Sequence, residues 1–189
     1  MLLRIERFQD IDGRKLMDLY SESNQENTDH FYPDETDKAL AVKKVEAGFL
    51  EFLKNDFFTH DKSTYWILAE NETWISALRT NRVRDDLYYM EALETRPDFR
   101  KRGYGSQLLA AVIGAFKLES SFRLCDCVRK TNIASLKTHE TCGFRIVSEE
   151  GYDYLSGEKN DADYSLEYRY PLQQGQVLAM PNASEKADT

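Results

Sequence analysis

The sequence has few cysteines and no long apolar run. Its three cysteines, Cys125, Cys127 and Cys142, are too few and odd in number for a disulfide framework. No histidine or further cysteine stands at zinc-ligand spacing, so no metal is expected. No apolar stretch is long enough to span a membrane, and the residues after Met1 do not resemble a secretory signal. We therefore expect a cytoplasmic protein with reduced, packed thiols and no membrane partner.

Acidic residues outnumber basic residues in this sequence. Lys and Arg total 25 against 33 Asp and Glu, which gives a net charge of −8 and argues against nonspecific nucleic-acid binding. The acidity suits a cationic substrate, although a solvated acidic surface is the commoner cause. The 189 residues, 41% of them hydrophobic, suit one globular domain, which we predict over residues 1–172. Residues 173–189 are polar, small and aperiodic, which predicts a flexible C-terminal tail.

The periodicity of apolar residues predicts a mixture of strands and helices. Pro33 suits the first position of a helix that continues to about residue 55, and the segment 22–34 before it shows no regular pattern. Further helices are predicted at 12–21, 104–118 and 132–142, the last ended by Gly143. Strands are predicted at 2–8, 65–70, 73–83, 88–95, 122–128, 144–154 and 164–170, with 88–95 and 122–128 parallel because a helix connects them.

A basic, glycine-containing loop lies between the strand 88–95 and the helix that follows it. The helix N-terminus carries unpaired N–H groups and partial positive charge, which favour a bound phosphate. Gly103 and Gly105 let an anion approach the backbone, and Arg100, Lys101 and Arg102 add charge. The expected ligand is a pyrophosphate or a similar dianion.

Two common phosphate-binding motifs are absent from this loop. The nucleoside-triphosphate loop requires GxxxxGK followed by Ser or Thr, and the chain has none. The dinucleotide motif GxGxxG requires a third glycine at position 108, which is Leu108.

The loop does resemble the acyl-CoA loop of the GNAT superfamily of N-acetyltransferases. That loop reads Q/R-x-x-G-x-G/A after a strand and an x-P-x-Y/F turn. Arg100, Gly103 and Gly105 match it, and Pro97 and Phe99 stand in the expected places before it. The sequence NIASLKTHETCGF at 132–144 resembles the second signature of the family, N-x-x-A/S followed at the family spacing by a tyrosine or similar residue and by G-F. The resemblance covers about residues 2–172.

The resemblance implies a fold, a cosubstrate and a set of main-chain contacts. The implied fold is an α+β domain (α/β/α) with a mixed, mostly antiparallel sheet of about six to seven strands flanked by about four helices. Acetyl-CoA is the implied cosubstrate, with no metal. Pantetheine would lie along the backbone of Leu93, Glu94 and Thr95, with the amide near Leu93 polarising the thioester carbonyl. The backbone around the pyrophosphate would come from Arg100, Lys101, Arg102, Gly103, Tyr104, Gly105 and Ser106.

A protonated amine must lose a proton before it attacks the thioester. Glu91, Glu94 and Asp126 are the acidic residues in or beside the two parallel strands. By strand alternation Glu91 and Leu93 share one face and Glu94 points to the other, so Glu91 is the candidate base. Glu91 could equally be an exposed strand carboxylate, and deprotonation through a water chain would make any single base dispensable.

The second motif supplies the other candidates. Many members of the family have a tyrosine seven residues after the motif asparagine, and here that position is His139. An imidazole could donate a proton to the leaving CoA thiolate, or the role could be absent or met by water. Asn132 and Ser135 are expected to contact pantetheine or its linker, although Asn132 would also cap a helix. Cys127 is interpreted as a packing residue rather than a nucleophile.

The predicted function is direct acetyl transfer from acetyl-CoA to an amine of a small-molecule or peptide acceptor. The alternative is a non-catalytic acyl-CoA sensor or partner-binding module, which the histidine at position 139 favours. A longer acyl group stays open, and so does a homodimer. The fold alone names no acceptor.

Overall fold

The computed structural model of the protein describes residues 1–118 and 121–171. Within these ranges, no helix combines the length and the apolar character that crossing a bilayer requires. The predicted C-terminal tail at 173–189 lies outside the described residues.

The chain alternates helices and strands along its length. The α-helices are α1 (Gly13–Leu19), α2 (Ser21–Glu26), α3 (Thr28–Phe31), α4 (Lys38–Asn55), α5 (Tyr104–Lys117) and α6 (Ile133–Thr141). The strands are β1 (Leu2–Ile5), β2 (Thr64–Glu70), β3 (Thr73–Arg84), β4 (Leu87–Thr95), β5 (Phe122–Arg129), β6 (Arg145–Ser148), β7 (Gly151–Tyr152), β8 (Lys159–Asn160) and β9 (Asp163–Tyr170).

Two predictions in the first third of the chain are wrong. Pro33 does not begin the long helix: α4 starts at Lys38, because the carboxylate of Asp37 accepts hydrogen bonds from the backbone N–H groups of Ala39 and Leu40. The segment 22–34 is not irregular, since α2 and α3 lie within or across it. Both helices are too short to show a helical period in the sequence.

Seven strands form a mixed sheet in the order β1-β2-β3-β4-β5-β9-β6. The hairpin of β2 and β3 turns at Asn71 and Glu72, which both have positive φ, as a two-residue hairpin turn requires. β4 and β5 are parallel, with Leu87 opposite Arg123 and Tyr89 opposite Cys125. The predicted α+β class, the mostly antiparallel sheet and the parallel pair are confirmed.

The chain groups into two compact units, and the prediction of one domain over residues 1–172 stays a prediction. The first unit comprises Met1–Asn81 and Ala92–Leu108. Its core is formed by side chains from β1, α1, α4 and the β2–β3 hairpin, among them the fully buried Leu16, Leu53 and Tyr65. Asp12 caps α1 by accepting a hydrogen bond from the backbone of Lys15, which fixes where this helix starts.

The second unit comprises Arg82–Glu91 and the described residues from Leu109 onward. Its aromatic core includes Phe122, which stacks on Tyr168 at 5.8 Å and packs against Phe116 at 5.2 Å. One predicted strand here is partly wrong. Only Arg145–Ser148 of the segment 144–154 pairs with β9, while Gly151–Tyr152 pairs with β8 as a separate two-stranded sheet.

Candidate active site

The loop before α5 has the backbone of an anion cradle. Lys101 and Gly103 have φ of +61° and +80°, so both lie in the left-handed region. A Cβ added at Gly103 would meet only the Gln107 side chain, at 4.0 Å, so open space faces this glycine. The helix begins at Tyr104 and the backbone of Gln107 bonds back to the carbonyl of Gly103. The N–H groups of the first helical turn lack intrahelical acceptors, so the loop offers hydrogen-bond donors to an anion.

The side chain of Arg100 is paired with other residues of the protein and is not available to bind an anion in this loop. Its guanidinium forms ion pairs with Glu94 at 2.8 Å and with Glu22, and its Nε donates to the carbonyl of Thr95 at 2.9 Å. Arg100 thus links the end of β4 to α2, and its charge is balanced by two carboxylates. The sequence predicts positive charge around the ligand from Arg100, Lys101 and Arg102, and for the Arg100 side chain this prediction is wrong. Lys101 and Arg102 stay exposed and can supply it.

Strand β4 carries a backbone irregularity at Ala92, whose φ is +55°. The Tyr20 hydroxyl donates a hydrogen bond of 2.9 Å to the carbonyl of Ala92. Two residues further along β4, the carbonyl of Glu94 accepts a hydrogen bond of 2.6 Å from the Ser76 hydroxyl. A left-handed residue interrupts the alternation of side chains, so the argument that Glu91 and Leu93 share one face does not hold at this point of the strand.

A cavity of about 620 Å³ opens beside this irregular part of β4 in the first unit. Its lining comes from α2, α3 and α4, from residues that flank these helices, from β3 and from the end of β4. The lining residues are Tyr20, Ser23, Asn24, Asn27, Phe31, Tyr32, Lys44, Val45, Gly48, Phe49, Phe52, Arg79, Ala92, Leu93 and Glu94. Pockets of this volume accommodate small molecules.

Sequence reasoning missed most of this cavity. Phe31 and Tyr32 line the cavity, whereas Phe57 is buried in the core. Arg79 was missed, although a signal existed. It is a charged residue inside a strand whose neighbours Leu78 and Thr80 are fully buried, and a cation in such a place requires a specific reason.

The second unit contains a buried histidine and carboxylate pair. His139 on α6 is fully buried, and its Nε2 lies 2.9 Å from Oδ2 of Asp126 on β5. Its Nδ1 lies 2.8 Å from the carbonyl oxygen of Ser135, to which it donates. Burial raises the pKa of the Asp126 carboxyl, and the hydrogen bond with His139 acts in the opposite direction. Both ring nitrogens therefore have partners inside this unit.

Asn132 and Ser135 stand at the start of α6. The side-chain carbonyl of Asn132 accepts a hydrogen bond of 3.1 Å from the backbone of Ser135, so Asn132 is the N-cap. Gly143, with φ of +91°, ends the helix as predicted, and a Cβ there would come within 3.2 Å of the Tyr168 ring. The capping role accounts for Asn132, and its contact with pantetheine stays a prediction.

The predicted site residues thus fall into two groups. Leu93, Glu94, Thr95 and the loop 100–106 lie together in the first unit, where β4 ends and α5 begins. Tyr104 opens that helix, and its hydroxyl lies 3.3 Å from the Glu70 carboxylate. Glu91, Asn132, Ser135 and His139 lie in the second unit, where Ser135 and His139 are in direct contact. In the part of the chain that the structure describes, no group of three acidic, histidine or cysteine side chains could hold a metal ion.

Solved structures of acetyltransferases share this fold. The PaiA N-acetyltransferase of Thermoplasma acidophilum, in complex with coenzyme A, aligns with a TM-score of 0.59 at 14% identity over 90% of this chain and 99% of its own. The ribosomal-protein-S18-alanine N-acetyltransferase of Escherichia coli aligns with a TM-score of 0.57 at 17% identity over 95% and 100%. An acetyltransferase of Streptococcus agalactiae reaches 0.60 at 16% identity over 89% and 98%.

The sequence comparisons narrow this likeness to a family. No curated protein matches the chain at a significant level. The family model described as "Acetyltransferase (GNAT) family" matches residues 13–144, which include the loop before α5 and both signature segments. Because this match covers well over half of the chain, the protein belongs to the GNAT family of acetyltransferases.

Proposed function

We propose that the protein is an N-acetyltransferase that moves the acetyl group of acetyl-CoA directly to an amine. The observation that carries this proposal is the placement of three features in the first unit. The left-handed loop at Lys101 and Gly103 opens α5, the irregular strand end at Ala92 precedes it, and the 620 Å³ cavity lies against the same strand end. A solved relative of the same fold is in complex with coenzyme A, which supports acetyl-CoA as the cosubstrate.

The cosubstrate is held mainly by backbone groups. The amides from Arg100 to Ser106 bind the pyrophosphate, and the backbone of Leu93, Glu94 and Thr95 pairs with the pantetheine arm. When bound, acetyl-CoA supplies an activated acetyl group as a thioester. The left-handed Ala92 is fixed by Tyr20, and this orients the next amide, that of Leu93, to donate to the thioester carbonyl.

The transfer also requires two proton movements. The amine joins the acetyl carbon and loses a proton, and CoA leaves as a thiolate that takes up a proton. Glu91, half-buried on β4, is the proposed acceptor of the amine proton. His139 is the proposed proton source for the thiolate, but its two nitrogens already bond Asp126 and Ser135. Donation to the thiolate therefore requires that the ring give up one of these two bonds.

The experiment that tests this function is a free-thiol assay with acetyl-CoA and a panel of amines, which includes amino acids, polyamines, aminoglycosides and short peptides. Thiol release above the hydrolysis background with any amine supports the enzyme. Acetyl-CoA binding in calorimetry without thiol release from any of them would overturn it and favour an acyl-CoA sensor. A matched series of propionyl-CoA and longer thioesters tests whether the acyl group is acetyl.

A further inference from the structure

The β4 end of the cavity carries a carboxylate. Glu94 lines the cavity together with Ala92 and Leu93, and its side chain is 21% exposed. Leu93 is the residue whose amide the proposed function places at the thioester carbonyl, and Glu94 follows it directly in the chain. A ligand group that bonds this carboxylate therefore lies at the same end of the cavity as that amide.

The Glu94 carboxylate is held in place and keeps capacity for a further hydrogen bond. Its Oε2 accepts a hydrogen bond of 2.8 Å from the Ser23 hydroxyl, and its Oε1 is paired with Arg100 at 2.8 Å. An ionised carboxylate has about four lone-pair sites on its two oxygens. These two contacts therefore fix the direction of the carboxylate and leave sites for a donor on a ligand.

The charges in contact with Glu94 do not cancel. Arg100 is paired with Glu22 as well as with Glu94, so two carboxylates share one guanidinium. The three side chains together keep an excess of one negative charge. Glu94 lines the cavity and Glu22 is not among the lining residues, so Glu94 is the member of this group that a ligand in the cavity can contact.

The two cations of the lining have contacts of their own. Lys44 is paired with Glu35 at 2.6 Å. The guanidinium of Arg79 lies 5.6 Å and 5.0 Å from the ring centres of Phe49 and Phe52 on α4. None of these contacts involves Glu94, so an ammonium group that binds Glu94 breaks none of them.

We propose that Glu94 binds the acceptor: its carboxylate holds the ammonium group of the amine at the β4 end of the cavity, beside the Leu93 amide. The proposal rests on the N-acetyltransferase function above. A protonated primary amine has three N–H groups, so one of them can bond Glu94 while another gives up its proton. The charged partner strengthens this hydrogen bond. Glu94 thereby selects amines over neutral compounds of the same shape.

The first experiment compares 2-phenylethylamine with 2-phenylethanol, which has the same ring and chain but no charge. The phenyl ring suits the aromatic part of the lining, which includes Phe31, Phe49 and Phe52. Calorimetry in the presence of CoA measures binding without acetyl transfer. We expect the amine to bind at least about tenfold more tightly than the alcohol, as is typical of a hydrogen bond to a charged group. Equal affinities, or no binding of either compound, would overturn the proposal.

The second experiment assigns this preference to one side chain. Glu94→Gln keeps the shape of the side chain and removes its charge, so most of the tenfold preference should be lost. Glu22→Gln is the matched control, because it also takes one of the two carboxylates from Arg100 but changes no residue of the lining. The control should keep the preference. A preference that survives in the Glu94 variant, or falls equally in both variants, would contradict the proposal.

Steady-state kinetics separate the role of Glu94 from the reaction itself. Glu94→Gln should lower kcat/KM for 2-phenylethylamine at least about tenfold and leave KM for acetyl-CoA unchanged, because the pantetheine arm pairs with backbone groups. Turnover of this amine with the same kcat/KM in both variants would keep the acetyltransferase function and overturn the role of Glu94. Amine binding that depends on Glu94, with no thiol release from any amine, would support the binding role and overturn the catalytic function.

Discussion

Nε2 of His139 lies 2.9 Å from Oδ2 of Asp126, and the ring is fully buried. A tyrosine at this position would have one polar side-chain atom, whereas the imidazole has two nitrogens, and each of them has a hydrogen-bond partner. Nδ1 donates to the carbonyl of Ser135 one turn earlier on α6, and Nε2 bonds Asp126 on β5. The histidine thus ties the helix of the second motif to the strand beside it.

Replacing His139 tests whether it acts in chemistry or in positioning. His139→Phe leaves Asp126 buried without its partner, so the free energy of unfolding should fall by about 3–5 kcal/mol, as for other broken buried pairs. Urea denaturation measures this loss. We expect turnover to fall more than CoA affinity, and an equal loss in both would show that His139 only packs or binds.

A second variant covers the case in which the Phe variant does not fold. The double change Asp126→Asn with His139→Gln replaces the pair by two neutral amides that can still share a hydrogen bond, so most of the stability should return. If the folded double variant turns over acetyl-CoA at the normal rate, the imidazole supplies no proton to the reaction.

The loop before α5 should be sensitive to a side chain at Gly103. With φ of +80°, an L-residue there costs about 1–2 kcal/mol, but the open space around its Cβ position means that the unit should still fold. Gly103→Val should abolish CoA binding in calorimetry, because the side chain enters the space that the pyrophosphate requires. Unchanged affinity would remove the pyrophosphate from this loop.

Gly114 provides the control for that substitution. It lies in α5, and an added Cβ would meet nothing within 4 Å. Gly114→Ala should stabilise the protein by up to about 1 kcal/mol through helix propensity and leave CoA affinity unchanged.

The sequence predicts those features of this fold that local chemistry determines. The helix end at Gly143 was predicted because glycine tolerates positive φ. The hairpin turn at Asn71 and Glu72 follows because only these two residues separate the predicted strands 65–70 and 73–83. The loop before α5 resembles the family signature because its glycines and basic residues stand in a recognisable order, and the family match confirms the family. Its contact with CoA stays a prediction.

The features that tertiary contacts determine were not foreseen. Alanine gives no signal for a left-handed backbone, so the irregularity at Ala92 is visible only with the Tyr20 hydroxyl that holds it. Arg100 has the same charge in sequence whether it faces a phosphate or Glu22 and Glu94. The cavity lining is assembled from five elements and the residues that flank them, and its residues share no pattern along the chain.

The Tyr20 hydroxyl should affect kcat, although Tyr20 lies far from β4 in sequence. Tyr20→Phe removes only the hydroxyl that bonds the carbonyl of Ala92, which should lower the free energy of unfolding by about 0.5–1.5 kcal/mol. The Leu93 amide then loses its fixed direction, so kcat should fall several-fold or more while CoA affinity changes little. Steady-state kinetics and calorimetry separate the two effects.

Tyr104→Phe serves as the comparison for Tyr20→Phe. The Tyr104 hydroxyl makes a long, exposed contact with Glu70 at 3.3 Å, so its loss should alter neither stability nor kcat. Equal kinetic effects of the two substitutions would show that the hydrogen bond to Ala92 does not direct the oxyanion donor.

The three cysteines should be slow to react in the folded protein. Burial raises the pKa of Cys125 to about 12, and it also raises the pKa values of Cys127 and Cys142. Since the thiolate is the reactive form, a chromogenic disulfide reagent used near the ordinary thiol pKa of about 8.5 should label them slowly in the native protein and completely in denaturant. A rapidly labelled thiol, located by mass spectrometry, would contradict this prediction.

Cys125 should also make stability depend on alkaline pH. Its pKa is higher in the folded protein than in the unfolded chain, so the folded state binds the proton more tightly. The stabilisation is present below the unfolded pKa of about 8.5 and is lost as the pH rises toward about 12. Cys125→Ala should therefore show a flatter decline of the urea midpoint above the unfolded pKa than the parent protein. Parallel declines would show that the Cys125 thiol does not titrate differently on folding.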